Sequence, residues 1–271
     1  MSLFTPMAQR MGRIMAMVAR YLYLMMASWP RLVELAYWPS VQMVLWGFIN
    51  QFLAGQSAYL AQAAGLLIAA ALLWDVLFRA QLGVALVFFE EMYSRNLGNL
   101  FVSPLRPYEL ALAMLLVSFM RTVFGLGVAA GLAVALYQYS IFDMGLPLLA
   151  FFANLLAMGW AIGLMVAALV LRYGLGVEGL AWAIIFAIAP VSGVYYPISV
   201  LPGWLQPVAW GLPSSHVFEG MRAVMHGQAF PLDHFFYAAG LNVAYLLAGL
   251  AIYLYTFHIA RRRGLLLQMG E

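Results

Sequence analysis

The sequence predicts an all-α polytopic membrane protein with six transmembrane helices. Three observations carry this: 66% of the residues are hydrophobic, only 8% are charged, and uncharged stretches run long enough to cross a bilayer. A soluble domain is about 25% charged, and a soluble fold of 271 residues has no interior large enough for this much apolar sequence. The surplus must face lipid. Around the six spans the pattern adds an N-terminal interfacial amphipathic helix, a cytoplasmic docking helix and a pair of external re-entrant half-helices between spans five and six. The chain reads as one unit over residues 1–271.

Residues 1–33 hold the first element. They contain no compact apolar core followed by an A-x-A site, so an amphipathic helix is expected in place of a cleavable signal peptide. At roughly 100° per residue, Arg10, Arg13 and Arg20 fall in one sector of about 80°. Ile14, Met15, Val18, Leu22 and Met25 lie on the other side, and no acidic residue precedes Glu34. An arginine face beside a Met/Leu face suits a helix lying in the cytoplasmic interface.

The spans follow. Between Glu34 and Asp75 there is no charge, which is length enough for about two crossings at roughly 20 residues each. The polar break Asn50–Tyr59 divides this stretch into spans near 36–54 and 60–82. The third span runs from 110 to 137 and ends at the loop Gln138–Gly145. The fourth occupies 147–171, and Arg172–Glu178 is a short connection. The fifth, 179–196, contains Pro190; the sixth, 235–259, stops at Arg261, Arg262 and Arg263.

Orientation follows from the arginines. With the N-terminus inside, cytoplasmic segments hold Arg10, Arg13, Arg20, Arg31, Arg79, Arg95, Arg106, Arg172 and Arg261 to Arg263, against Arg222 alone outside. Cytoplasmic enrichment of positive charge is the rule for short loops, so both termini are expected in the cytoplasm. The same rule accounts for the basic charge balance without any nucleic-acid partner.

All 13 basic residues are arginine. A Walker A loop needs its lysine to reach the β- and γ-phosphates, so no such ATPase site is expected in this chain. The cysteine count is 0, which excludes disulfides, thiolate chemistry and cysteine-ligated metal or haem.

Two connections exceed what a link requires, and long loops are where function concentrates. The first is cytoplasmic, residues 88–109. Its part from Glu90 to Phe101 can form a short helix of mixed charge, after which Ser103-Pro104 and Arg106-Pro107 stop continuation, because proline pushes the preceding residue out of the α region. Such a helix suits docking into a groove on a soluble partner. The second is external, residues 197–234. It is apolar enough to stay in the membrane but broken too often by proline to cross it. Two half-helices dipping into the outer leaflet fit, since irregular backbone at that depth must be buried in protein. Ser214 is the expected N-cap of the second half-helix, and Glu219 and Arg222 are i, i+3 neighbours able to pair.

At these two segments the chain resembles the ABC-2-type transporter permeases, the membrane subunits of type V ABC exporters. The runs VSPLRPYEL (Val102 to Leu110) and SGVYYPISVLPGWLQPVAWGLPSSHVFEGMR (Ser192 to Arg222) carry the resemblance, and the order of the spans agrees with it. The resemblance implies a homodimer in a bacterial cytoplasmic membrane, with two copies of a separate ATP-binding subunit that supply ATP and Mg. No cofactor is implied in this chain. A coupling role falls on Glu90, Glu91, Tyr93, Arg95, Asn96, Leu100, Pro104 and Arg106. An external gate falls on Tyr196, Pro197, Pro202, Trp204, Pro213, His216, Glu219 and Arg222. Unlike the larger members, this chain has no big external domain.

Three charges lie within the spans, where ionisable residues are costly and are functional candidates. Asp75 and Arg79, at i, i+4, are expected to form a salt bridge. Arg121, counted back from Tyr137, falls at the cytoplasmic rim, where it could snorkel or meet anionic headgroups or an acidic substrate. The leading expectation is a permease that moves an amphipathic, lipid-linked glycan or hydrophobic substrate outward by alternating access. An ATP-independent channel or secondary transporter is the alternative, but no inverted repeat is evident and few polar residues line the spans. An intramembrane enzyme would have to draw on Ser214, Ser215 and His216 or on Asp75, without any G-x-S-x-G or H-E-x-x-H constellation.

Overall fold

The computed structural model describes residues 5–55 and 58–264. They form ten α-helices with short 3-10 turns between them: α1 (Thr5–Met26), α2 (Trp29–Ala54), α3 (Ala58–Tyr93), α4 (Leu97–Val102), α5 (Pro107–Tyr137), α6 (Leu146–Tyr173), α7 (Leu180–Ile188), α8 (Gln206–Trp210), α9 (Pro213–Met225) and α10 (Leu232–Arg262). Among the described residues, five helices are long and apolar enough to cross a membrane: α2, α3, α5, α6 and α10.

The expected fifth span is where the sequence reading needs correction. A helix was expected over 179–196, but α7 covers only nine residues, about 14 Å against a hydrocarbon core of about 30 Å. Ala189 and Pro190 turn out of the helix, and Gly193 takes φ +60°, a left-handed conformation that favours glycine. The third element of that reading also shifts. The span expected to end at 82 continues without a break to Tyr93, and the charges along it are paired at the helix: Asp75 with Arg79, Glu91 with Arg20, Glu90 with Arg31.

Contacts between helices fix their directions. Gly159 faces Ala80 and Gly163 faces Val84, so α3 and α6 run parallel. Asn242 bonds to Asn154 and Gly249 abuts Ala161, so α6 and α10 also run parallel. Against this set, Ser118 meets Ala80 and Gly125 meets Arg79, which makes α5 antiparallel to α3. The main chain of Leu35 accepts from Arg79 while Met43 and Trp46 lie beside Leu72 and Ala71, so α2 also opposes α3.

Two consequences follow. Residues 174–231 must carry the chain from the C-terminal end of α6 back to its N-terminal end, where Phe151 packs on Phe230 just before α10 begins. In addition, the start of α2 and the end of α10 share one end of the bundle, which also holds Arg95, Arg106 and Arg172. This is the arginine-rich end.

The core is built on α3 and α6, which are buried along most of their length, while α2, α5 and α10 keep an apolar face outward. Small residues permit the close approach. A Cβ on Gly159 would come within 2.5 Å of Ala80, and one on Gly249 within 2.7 Å of the Ala161 carbonyl. Within this contact Asn242 donates to both the main-chain and side-chain oxygens of Asn154 at 3.0 and 2.9 Å. A buried amide pair of this kind fixes the register between two otherwise featureless apolar surfaces.

Candidate functional site

At the arginine-rich end, α1 lies across the bundle and is tied down by two ion pairs, with a third beside them from the start of α2. Arg13 grips Glu109, at the start of α5, through two nitrogens at 2.5 and 2.9 Å. The same carboxylate accepts the main-chain N–H of Arg106 at 2.9 Å, which caps α5. Arg20 pairs with Glu91 near the end of α3, and Glu91 also accepts from the Asn96 amide at 2.8 Å. Arg31 reaches Glu90 at 3.5 Å, in the open. Ile14, Met17, Val18 and Tyr21 are the apolar residues of α1 that enter the core, whereas Met15, expected on that side, stays exposed. The hydrogen bond to Glu109 holds the Arg13 guanidinium above its usual value. At Arg20 burial is the largest single influence and acts against the charge, but the bond to Glu91 and the charges of Glu91 and Glu90 together turn the net direction upward.

The residues given a coupling role are divided between several elements, and the helix expected from Glu90 to Phe101 is split in two. Glu90, Glu91 and Tyr93 belong to the end of α3. Asn96 is the N-cap of α4, which begins only at Leu97 and contains Leu100. Pro104 and Arg106 lie in the connection to α5. Arg95 makes the turn, at φ +52°. Glu91 is 1% exposed and so faces α1 and not solvent. The Tyr93 hydroxyl donates to Glu178, joining the end of α3 to the loop after α6. What α4 presents outward is Val102, 90% exposed, with Leu97 buried beneath it. Arg13, Arg20, Glu109 and Glu178 were not singled out by motif reasoning, since partners up to 96 residues apart leave no spacing signal.

The opposite end holds the expected gate residues. Glu219 accepts the main-chain N–H of Ile198 at 2.7 Å and pairs with Arg222 at 3.0 Å. Arg222 in turn donates to the Gly193 carbonyl at 2.8 Å. Two side chains one turn apart on α9 thus satisfy backbone groups that the broken segment leaves without a helical partner. Tyr196 donates to the Pro190 carbonyl at 2.5 Å, and Pro197 precedes a single 3-10 turn. Pro202 and Trp204 face outward.

Ser214 is not the N-cap of α9. Leu212 takes that position, Pro213 is the first helical residue, and Ser214 is buried in a 2.8 Å hydrogen bond with Ser192. Proline suits the first position because its missing N–H would have no partner there. His216 stacks in a cluster with Trp210, His234 and Tyr237. One ring nitrogen faces the Trp210 carbonyl at 3.0 Å and the other faces His234 at 3.2 Å. Both are taken, so His216 has no nitrogen left to serve Ser214 or Ser215 as a base.

Asp75, Arg79 and Arg121 meet at a cavity of about 270 Å³ between α2, α3, α5 and α7. Arg79 is paired to Asp75 as expected. Arg121, expected at the rim, stands in the cavity wall beside Trp182 and Phe186. A family model described as ABC-2 type transporter matches residues 12–226, which takes in α1 through α9. No curated protein matches the chain.

Proposed function

The chain belongs to the ABC-2 type transporter family, and on that premise we propose that it is the permease subunit of an ATP-driven exporter. Two copies assemble as a homodimer in the bacterial cytoplasmic membrane, and each carries a separate ATP-binding subunit. The cargo is amphipathic, a lipid-linked glycan or another hydrophobic molecule, and it moves outward by alternating access. The arginine-rich end faces the cytoplasm, in keeping with the positive-inside rule. Residues 174–231 then make the sixth crossing as a broken segment, with α7 on the cytoplasmic side and α8 and α9 dipping in from outside.

The observation that carries this reading is the position of α4. It sits between the end of α3 and the start of α5, and Arg20–Glu91 and Arg13–Glu109 tie both of those ends to α1. A push on the exposed Val102 side of α4 therefore moves α1, α3 and α5 as one body, which is what a receiver of ATPase motion requires. Broken backbone at the far end, held by Glu219 and Arg222, is the complementary part: a segment able to change shape where the path opens.

The test is purification in gentle detergent with the partner ATPase, followed by ATP hydrolysis measurements in proteoliposomes. Val102→Glu should lower permease-stimulated hydrolysis by about tenfold, as expected for a charge forced into an apolar contact, while the mass of the complex stays the same. Full stimulation by this variant would remove α4 as the coupling element. A permease that transports without any ATPase would remove the exporter reading altogether.

A further inference from the structure

The cavity at Arg121 is chemically unusual for its position. Its wall is mostly apolar, with Trp38 from α2, Phe78 from α3 and Trp182 and Phe186 from α7. Glu34 also lines it, and into the wall project two guanidinium groups that differ in their commitments. Arg79 is spent: its Nε donates to Asp75, its Nη1 reaches toward the Leu35 carbonyl at 3.4 Å, and it lies flat over Gly125, where a Cβ would come within 2.7 Å. Among the described residues Arg121 has no hydrogen bond or ion pair; Glu90 and Glu34 act on it only from a distance. A guanidinium carries five donors in a rigid fork suited to carboxylate or phosphate.

A second group lacks a partner at the same place. Asp75 is 3% exposed, and while its Oδ2 accepts from Arg79, its Oδ1 has no hydrogen-bond partner. A buried carboxylate oxygen without a donor is costly. The lining of the cavity therefore includes a guanidinium with unsatisfied donors and a carboxylate with an unsatisfied oxygen, beside an aromatic wall. It is also open at one side: Trp38 and Phe186 stay 54% and 61% exposed, and α7 is too short to close the gap.

We propose that this cavity binds the headgroup of an anionic amphiphile. Its phosphate accepts from Arg121, a neighbouring hydroxyl or ammonium group donates to Asp75 Oδ1, and its alkyl chains leave between α2 and α7 along Trp38 and Phe186. A simple anion would satisfy Arg121 but not Asp75 or the aromatic wall. A cationic amphiphile would satisfy Asp75 but leave Arg121 without a counter-charge. Binding here stands on the cavity alone and does not require coupling to ATP, so it can fail while the transporter reading holds, and the reverse.

Native mass spectrometry of the detergent-purified full chain tests this, with phosphatidylglycerol, phosphatidylcholine and inorganic phosphate as probes. Phosphatidylglycerol should be retained about tenfold more strongly than phosphatidylcholine, as befits one charge-assisted contact. Arg121→Gln should bring the two to the same level, and Arg121→Lys should restore part of the difference. Equal retention of both lipids by the unaltered chain, a comparison that needs no variant, overturns the assignment. So does undiminished phosphatidylglycerol retention in Arg121→Gln. Displacement of the lipid by millimolar inorganic phosphate would mean that the site takes the free anion, and the amphiphile assignment fails.

Discussion

The two ends of the bundle use charge in opposite ways. At the arginine-rich end, Arg13–Glu109 and Arg20–Glu91 join residues 96 and 71 positions apart and so bind separate helices together. At the other end, Glu219 and Arg222 are neighbours on α9, and their surplus bonding goes to the main chain at Ile198 and Gly193. Rigidity between helices is the product at the first end. A tolerated break in the backbone is the product at the second. A pair that joins helices transmits displacement, whereas a pair that caps stray N–H and carbonyl groups lets a segment stay irregular where water is scarce.

Variants can break this contrast, and the largest effect is expected at Arg222. Arg222→Met strips the Gly193 carbonyl of its donor and leaves Glu219 without a counter-charge, at a cost of about 3 kcal/mol. A marked fall in the thermal unfolding midpoint in detergent is expected, and a midpoint within experimental error of the unaltered chain would show that the broken segment does not depend on α9. Arg20→Ala follows, at about 2 kcal/mol, because Glu91 would be buried without a counter-charge, keeping the Asn96 amide, while Arg20 itself is a third exposed. Proteolysis should then release α1 at lower protease concentrations, and equal resistance would mean that its apolar face suffices to hold it.

A smaller effect is expected at the His216–His234 contact. Since Nε2 of His216 must donate to the Trp210 carbonyl, its Nδ1 accepts from His234. His216→Ala removes both bonds, at a cost of about 1 kcal/mol; a thermal midpoint equal to that of the unaltered chain would show that the aromatic stacking around it suffices. Least of all is expected from Arg31→Ala, whose exposed 3.5 Å pair is worth about 0.5 kcal/mol or less. A loss as large as that of Arg20→Ala would show that all three pairs act as one network.

The long apolar helices were legible because hydropathy and charge-free length depend on composition alone. The boundary errors have local causes. The reading of α3 stopped at 82, about one bilayer's length from its start, whereas the helix runs on to Tyr93 with Glu91 neutralised by Arg20 from α1. For α7, nothing in the apolar run 179–196 reveals that Gly193 is left-handed. The same holds for the sites. Glu219 and Arg222 could be paired from spacing on one helix. The partners of Arg13 and Arg20 are set by how α1 lies across α3 and α5, and Arg121 enters a cavity that exists only because α7 is short. Local chemistry is written along the chain, whereas helix packing is not.

The shortness of α7 also bears on how the protein is made. A nine-residue apolar helix is too small to be retained in a bilayer as a span in its own right. After α6 leaves the insertion machinery, residues 174–231 can pair Glu219, Arg222, Ile198 and Gly193 among themselves, but the α10 surface on which α9 packs is not yet present. Their resting place forms only when α10 arrives beside α6 and the Asn154–Asn242 contact closes. The interrupted segment thus settles only once the helix that follows it has been made.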